Sequence, residues 1–208
     1  CGCRVAPHAR RRVESTESRV SLQTNFQPAW WLPGPHLPTI YGKLLRRVPP
    51  AGERLERWAT PDGDSVGVAR VDAPRADAPV LAILHGLEGT VQSTYAQALM
   101  REARQRGWAA AMLIFRTCDG RVPDAPRMYH SGETTDTDFF LRRLAAEVPG
   151  RPLLAAGVSL GANVLLKWLG EQGSAVPPEL RAASAVSTPF DLAAGSAYLE
   201  RGFSRLYV

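Results

Sequence analysis

Short apolar segments alternate with amphipathic helical segments from residue 79 onward. Four segments are apolar throughout and have the length of buried strands: residues 79–84, 108–115, 153–158 and 182–186. Between them lie three segments with helical periodicity: residues 94–105, 135–147 and 161–172. A strand that is apolar on both faces must be covered on both faces. This alternation therefore predicts an α/β fold with a mostly parallel central sheet and helices on both faces.

Two shorter strands precede the alternation. Residues 55–59 and 65–71 flank residues 60–64, whose sequence Thr-Pro-Asp-Gly-Asp is typical of a turn. We predict that they form an antiparallel hairpin. Residues 26–41 contain four prolines, which argue against a regular helix or a central strand. This aromatic-rich block could be an arm packed across the domain or a wall of a substrate pocket.

Two of the helical segments have further sequence features, an apolar face in one and an acidic first turn in the other. The apolar face of residues 94–105 is predicted to consist of Tyr95, Ala98, Leu99 and Ala103. In residues 135–147, Asp136 and Asp138 lie in the first turn, where they complement the helix dipole.

The composition is that of one globular domain, with 208 residues, 45% apolar and 22% charged. No apolar run approaches the ~18–20 residues of a membrane-spanning helix. The net charge of +5 arises mainly in the first twenty residues, where five arginines face two glutamates. We interpret residues 1–24 as a disordered or solvated tail. They contain no interleaved aromatic residues and no DNA-binding motif, so no nucleic-acid partner is expected.

The cysteines do not form a pattern. Cys1, Cys3 and Cys118 have no disulfide spacing, which favours a reducing, cytoplasmic location. Cys1 and Cys3 are also too close together for a structural zinc site, and no second pair of ligands follows. No metal or organic cofactor is implied.

Gly157-Val158-Ser159-Leu160-Gly161 joins an apolar strand to a helical segment. This G-x-S-x-G pattern, in a strand–turn–helix context, predicts a nucleophile elbow. Ser159 would be the nucleophile on a strained turn whose neighbours must be small. The Leu160 N–H would be one donor to the oxyanion. The alternative is a turn serine that needs flanking glycines and has no catalytic role.

His85-Gly86-Leu87-Glu88-Gly89 follows the strand at residues 79–84. In an α/β hydrolase the loop at this place provides the second oxyanion donor, which we assign to the Leu87 N–H. His85 could be taken for the general base. In this fold, however, the base follows the nucleophile in chain order, so we expect His85 to shape the loop.

Several motifs in order resemble the YheT-like family of α/β-fold hydrolases, which is associated with ester hydrolysis and has lipid-acting relatives. The matching segments are residues 34–40, 85–89, 115–118, 127–136, 157–163 and 187–192. The resemblance covers about residues 25–208 and implies that Ser159 belongs to a Ser-Asp-His triad. Ile114 and Thr117 depart from the family, which usually has Asn and Gly there, so the conformation of that loop is open.

The resemblance also suggests residues near a substrate pocket. These are His85, Gly86, Arg116, Tyr129 and His130. For Arg116, Tyr129 and His130, hydrogen bonds that fix loops are an equal alternative.

The sequence does not contain a complete triad in the order that the fold requires. All four histidines (His8, His36, His85 and His130) precede Ser159, whereas the fold places the acid and then the histidine after the serine. By resemblance the acid follows a strand later than the one before Asp191, so no acid is assigned. A serine without a base is a weak nucleophile. We therefore expect residues 25–208 to be the N-terminal portion of an α/β hydrolase, lacking the triad Asp and His and having little turnover alone.

The predicted function is cleavage of a small-molecule carboxylic ester through an acyl-enzyme. The aromatic residues suggest an apolar acyl chain. The alternative is a non-catalytic binding module on the same scaffold.

Overall fold

The computed structural model describes residues 27–200, apart from the side chains of Lys43 and Leu44. The chain divides into two units at Pro33 and Gly34. Within the first unit, the Leu32 N–H donates to the Ala29 carbonyl at 2.9 Å in a turn. The interpretation of residues 1–24 as a tail, and the domain boundary at residue 25, lie outside the described residues and stay predictions.

The second unit contains a six-stranded sheet. Its strands are β1 (Arg54–Ala59), β2 (Ser65–Val71), β3 (Val80–Leu84), β4 (Ala109–Ile114), β5 (Leu153–Val158) and β6 (Leu180–Val186). Their order across the sheet is β1-β2-β4-β3-β5-β6. Strands β3 to β6 are parallel, and β1 and β2 form an antiparallel hairpin that joins the sheet through β4. Both the hairpin and the mostly parallel sheet are confirmed.

The helices agree with most of the predicted segments. They are α1 (Leu37–Ile40, continued by a π-helical turn at Tyr41–Leu45), α2 (Thr94–Gln105), α3 (Thr135–Glu147), α4 (Leu160–Gln172) and α5 (Leu192–Leu199). The expectation that the prolines prevent a helix before residue 42 was wrong for α1. Pro38 lies in its first turn, where a missing N–H costs no intrahelical hydrogen bond. Among the helices of residues 27–200, none combines the length and apolar composition needed to cross a bilayer.

The core lies on both faces of the sheet. On one face, Ala82 and Leu84 of β3 are buried with Phe140 of α3 and Trp168 of α4. On the other face, Ile83 is buried with residues of α2. Adjacent residues of β3 therefore serve opposite cores, which is why this strand is apolar at every position.

The predicted apolar face of α2 is confirmed in part, because Ala103 is buried and Tyr95 and Leu99 pack against the core, but the fully buried positions differ. Its buried residues are Ala96, Gln97, Met100 and Ala103. Gln97 can be buried because its side-chain oxygen accepts from the Ala51 N–H at 2.6 Å and its amide nitrogen donates to the Val91 carbonyl at 2.7 Å. Apolar periodicity alone could not reveal a buried glutamine that is satisfied by distant backbone groups.

Strand β6 also differs from expectation. It is the last strand in the order of the sheet, and its residues from Arg181 to Val186 are exposed within the described part of the chain. Because β6 is as apolar as the central strands, we expected it to be buried on both faces, and this expectation was wrong.

Candidate active site

Ser159 lies on the turn between β5 and α4. Its backbone angles are φ 53° and ψ −118°, a conformation that is costly for a residue with a side chain. The turn is fixed on both sides, because the Ser159 N–H donates to the Val186 carbonyl at 2.8 Å and its own carbonyl accepts from Ala162 and Asn163. The residue is half-buried and borders a cavity. The structure thus has a strained strand-to-helix turn at the serine of the G-x-S-x-G pattern, and the role of Ser159 as a nucleophile stays a prediction.

Both glycines of that pattern are required by their surroundings. A Cβ at Gly157 would lie 2.5 Å from the Gly161 carbonyl oxygen. A Cβ at Gly161 would overlap the carbonyl oxygens of Leu84 and His85 at the end of β3. The glycines therefore allow α4 to start directly against β3 and β5.

The loop His85–Gly89 runs beside the serine. A Cβ at Gly86 would lie 3.2 Å from the Ser159 Cβ. Gly86 thus permits the closest approach between the loop and the predicted nucleophile. Gly86 is not among the residues that border the cavity at Ser159, so its assignment to a substrate pocket stays a prediction.

Leu87 and Leu160, whose N–H groups are the two predicted oxyanion donors, border the same cavity as Ser159. The neighbouring N–H groups are engaged: Gly86 donates to the Tyr95 hydroxyl and Glu88 to the Tyr129 hydroxyl, each at 2.9 Å. Within residues 27–200, no protein group accepts from the N–H of Leu87 or of Leu160. Both groups therefore remain available to a ligand.

His85 is fully buried and does not line the cavity, contrary to its assignment as a pocket residue. Its Nε2 accepts from the Phe115 N–H at 3.0 Å, so its Nδ1 carries the proton and donates to the Gly86 carbonyl at 2.7 Å. Burial lowers its pKa to about 4. A neutral ring with both nitrogens engaged agrees with a loop-shaping role.

Arg116 does not lie at the mouth of the pocket, because its guanidinium group is buried. It forms ion pairs with Asp136 at 2.7 Å, Asp64 at 2.7 Å and Asp62 at 3.0 Å. The hydrogen bond and charge of Asp136, followed by those of Asp62, raise its pKa above the ordinary value. The group joins the β1–β2 turn to the first turn of α3, so the loop-fixing alternative applies to Arg116.

Tyr129 and His130 lie in the segment between β4 and α3. The ring of Tyr129 stacks on Phe115 with centroids 5.4 Å apart, and burial raises the pKa of its hydroxyl to about 12. The Nδ1 of His130, an exposed residue, accepts from the Gly132 N–H at 3.0 Å. Neither residue borders the cavity at Ser159, and their assignment to a substrate pocket stays a prediction. Both form hydrogen bonds that fix loops.

The cavity beside Ser159 has a volume of about 580 Å³. One wall is formed by Leu87, Ser159 and Leu160, and the other by Pro189, Leu192, Gly195, Ser196, Leu199 and Glu200. The second wall is mostly α5, which the sequence analysis did not identify. The sequence signal for α5 was Asp191 followed by an apolar run. Asp191 is the N-cap of the helix, and its carboxylate accepts from the Ala194 N–H at 2.8 Å. Asp191 belongs to the matching segment 187–192, but the sequence assigned it no role.

Comparisons with known proteins agree with this architecture. A scan against protein-family models finds no match. The chain is 40% identical to the protein named "Putative esterase YheT" of Escherichia coli (strain K12), over 90% of this chain and 55% of that protein. It is 30% identical to the phospholipase ABHD3 of Mus musculus, over 85% of this chain and 44% of that protein. The chain thus spans about half the length of these curated relatives.

A solved structure supports the fold independently. The Pyrococcus furiosus esterase Pf2001 matches with a TM-score of 0.59 and 18% identity, covering 79% of this chain and 64% of that one. This likeness shows the fold alone. Together with the YheT and ABHD3 matches over nearly the whole chain, it confirms the resemblance drawn from the motifs. The chain belongs to the YheT-like family of α/β hydrolases.

Proposed function

We propose that the chain carries the nucleophile of a serine hydrolase that cleaves carboxylic esters through an acyl-enzyme. The observation that carries this proposal is the position of Ser159. It has a strained backbone on a strand-to-helix turn and borders a cavity together with Leu87 and Leu160, whose N–H groups have no acceptor among the described residues. Named esterases and a phospholipase among the relatives support the same reaction class.

The first half of the reaction would form the acyl-enzyme. The Ser159 Oγ attacks the ester carbonyl carbon, and the carbonyl oxygen becomes an oxyanion that accepts from the Leu87 and Leu160 N–H groups. The start of α4 adds the positive end of the helix dipole. The tetrahedral intermediate then breaks the bond to the alcohol, which leaves with a proton, and the acyl group remains on Ser159. Water attacks the acyl group in the second half and releases the acid.

The proton on the Ser159 Oγ needs a base. His85 has both ring nitrogens engaged and a pKa of about 4, and His130 is bonded within its own loop. In this fold the acid and the histidine follow the nucleophile. We therefore place the base, and the acid that orients it, outside residues 27–200.

The cavity suggests the kind of ester. Leu87, Leu160, Leu192 and Leu199 surround it, and its volume of about 580 Å³ is within the usual range for small-molecule sites, ~300–1,000 Å³. Such a surface suits an apolar acyl chain, whose burial contributes about 0.8 kcal/mol per methylene. The phospholipase among the relatives fits this chemistry.

The test uses the complete gene product, a fluorophosphonate probe and p-nitrophenyl esters. We expect labelling and hydrolysis in the parent and the loss of both in Ser159→Ala. Ser187→Ala is the matched control, because Ser187 follows the neighbouring parallel strand with a similarly positive φ of 54° and does not border the cavity. It should retain both signals. A folded parent protein that is neither labelled nor active would instead favour a non-catalytic binding module.

A further inference from the structure

Two tyrosine hydroxyls hold the loop His85–Gly89, one on each side of Leu87. The Gly86 N–H donates to the Tyr95 hydroxyl at 2.9 Å, and the Glu88 N–H donates to the Tyr129 hydroxyl at 2.9 Å. We infer that Tyr95 and Tyr129 are positioning residues that hold the Leu87 N–H in place to stabilise the oxyanion. This inference rests on the proposed function and assigns to two residues a role in the site that the G-x-S-x-G pattern does not indicate.

The hydrogen bonds fix the loop on both sides of the donor. Among residues 27–200, the Leu87 N–H is the group between the two anchored ones that has no protein acceptor. Fixing the amides before and after a residue limits rotation of the peptide planes between them. The orientation of the Leu87 N–H is therefore set before a substrate arrives, which is what makes an oxyanion donor effective.

The backbone of Glu88 shows that the loop needs such support. Its φ is 51°, in the left-handed region that residues with a side chain rarely adopt. A conformation of this kind costs about 1–3 kcal/mol and persists only where the surroundings hold it. The hydrogen bond from the Glu88 N–H to Tyr129 is one interaction that does so.

Tyr95 reaches the loop because Gly89 leaves room for its hydroxyl group. The residue lies in the first turn of α2. A Cβ at Gly89 would lie 2.6 Å from the Tyr95 hydroxyl oxygen, and one at Gly86 would lie 3.6 Å from it. Gly89 therefore accommodates the tyrosine, and Gly86 accommodates Ser159. Burial raises the pKa of Tyr95, so its hydroxyl group stays neutral.

Tyr129 is itself held by the end of β4. Its ring is parallel to that of Phe115, with an angle of 1° between their planes, and the Phe115 N–H donates to His85 at the start of the loop. The ring of Phe115 also contacts the His85 ring edge-on, with centroids 4.7 Å apart. The loop is thus anchored at His85, Gly86 and Glu88, and Leu87 is left between anchors.

The test replaces each tyrosine with phenylalanine, which keeps the ring and removes the hydroxyl group that accepts from the loop. In the complete gene product we expect Tyr95→Phe and Tyr129→Phe each to lower kcat by about 10-fold. The double variant should approach the ~10²–10³-fold loss that follows removal of one oxyanion donor. KM should change by less than about 2-fold, because the lost interaction belongs to the transition state. Tyr198→Phe, which changes an exposed tyrosine, is the matched control and should behave as the parent.

A second measurement does not depend on catalysis. Hydrogen–deuterium exchange of the peptide that covers residues 84–90 should be faster in both loop variants than in the parent and in Tyr198→Phe. Unchanged exchange, or faster exchange with an unchanged kcat, would overturn the inference. So would a loss of activity explained entirely by a smaller folded fraction.

A different set of results is expected if the proposed function itself is wrong. In that case the parent and Ser159→Ala are equally inactive, whatever the tyrosine variants do. The exchange experiment still reports whether the two hydroxyls hold the loop.

Discussion

The buried ion cluster around Arg116 leads to a prediction about stability. The Arg116 side chain is 1% exposed, and those of its partners Asp64 and Asp136 are 5% and 4% exposed. Arg116→Met keeps most of the side-chain length and removes the charge. Asp64 then loses its guanidinium partner, while Asp136 keeps Arg127, whose nearest nitrogen lies 2.5 Å away. The variant should therefore be destabilised without a large cavity.

The magnitude follows from what remains after the substitution. Removing one partner of a buried ion pair typically costs about 3–5 kcal/mol. Arg127 still neutralises Asp136, and the N–H groups of Ser65 and Ala125 still donate to Asp64. We expect the lower end of the range, about 3 kcal/mol, which is a large part of a typical free energy of unfolding of ~5–15 kcal/mol. The control Arg75→Met breaks an exposed pair with Asp77 and should leave the free energy of unfolding close to that of the parent.

The same cluster also predicts how the difference in stability between the parent and Arg116→Met changes with pH. The hydroxyl of Thr60, followed by the guanidinium of Arg116, lowers the pKa of Asp62 to about 2. Burial opposes ionisation of Asp64, but N–H donors and Arg116 outweigh it and lower its pKa as well. A carboxyl group whose pKa is lower in the folded state stabilises the fold above its unfolded pKa, about 3.9, and this contribution is lost as the pH falls through the folded pKa. The difference in the free energy of unfolding between the parent and Arg116→Met should thus have its full size at pH 7. It should become smaller between about pH 4 and pH 2.

Urea unfolding followed by tryptophan fluorescence measures this difference, since Trp58 and Trp168 are buried in the core. The parent, Arg116→Met and Arg75→Met are compared at pH 7 and at pH 3. If Arg116→Met is as stable as the parent at pH 7, the cluster does not stabilise the fold. If the difference in the free energy of unfolding between the parent and Arg116→Met is larger at pH 3 than at pH 7, the aspartates around Arg116 are not ionised as assigned.

Local sequence signals predicted the elements close to the site well. The bounds of α2, α3 and β5 agree with prediction at both ends. Each has a local cause, namely helical periodicity for α2 and α3 and a continuous apolar run before the elbow for β5. The elbow was readable for a related reason: the two glycines and the serine form one steric unit within five residues.

The roles that sequence could not assign depend on contacts between distant residues. Arg116 reaches Asp64 across 52 positions, and Tyr129 reaches Glu88 across 41. Tyr95 was counted as part of an apolar helix face because its ring fits that pattern, whereas its hydroxyl faces the loop. A tyrosine can place its ring in an apolar helix face and also accept a hydrogen bond with its hydroxyl group. The second role becomes visible only when the position of the loop relative to the helix is known.

Two further predictions concern glycines at the site. Gly161→Ala should destabilise the protein by at least ~1–3 kcal/mol and abolish labelling of Ser159, because the methyl group would overlap backbone atoms of Leu84 and His85. Gly170→Ala in the same helix has open space and should be stabilising by up to about 1 kcal/mol, so equal effects on thermal unfolding would contradict the steric argument. Gly195→Leu should shift hydrolysis toward shorter acyl chains, since Gly195 borders the cavity and its added Cβ would meet nothing within 4 Å. At ~0.8 kcal/mol per methylene, displacing three methylenes corresponds to about 50-fold in kcat/KM for long esters. We would measure the profile of the complete gene product from p-nitrophenyl acetate to decanoate, with Gly195→Ala as the control. An unchanged profile would mean that the acyl chain does not bind along α5.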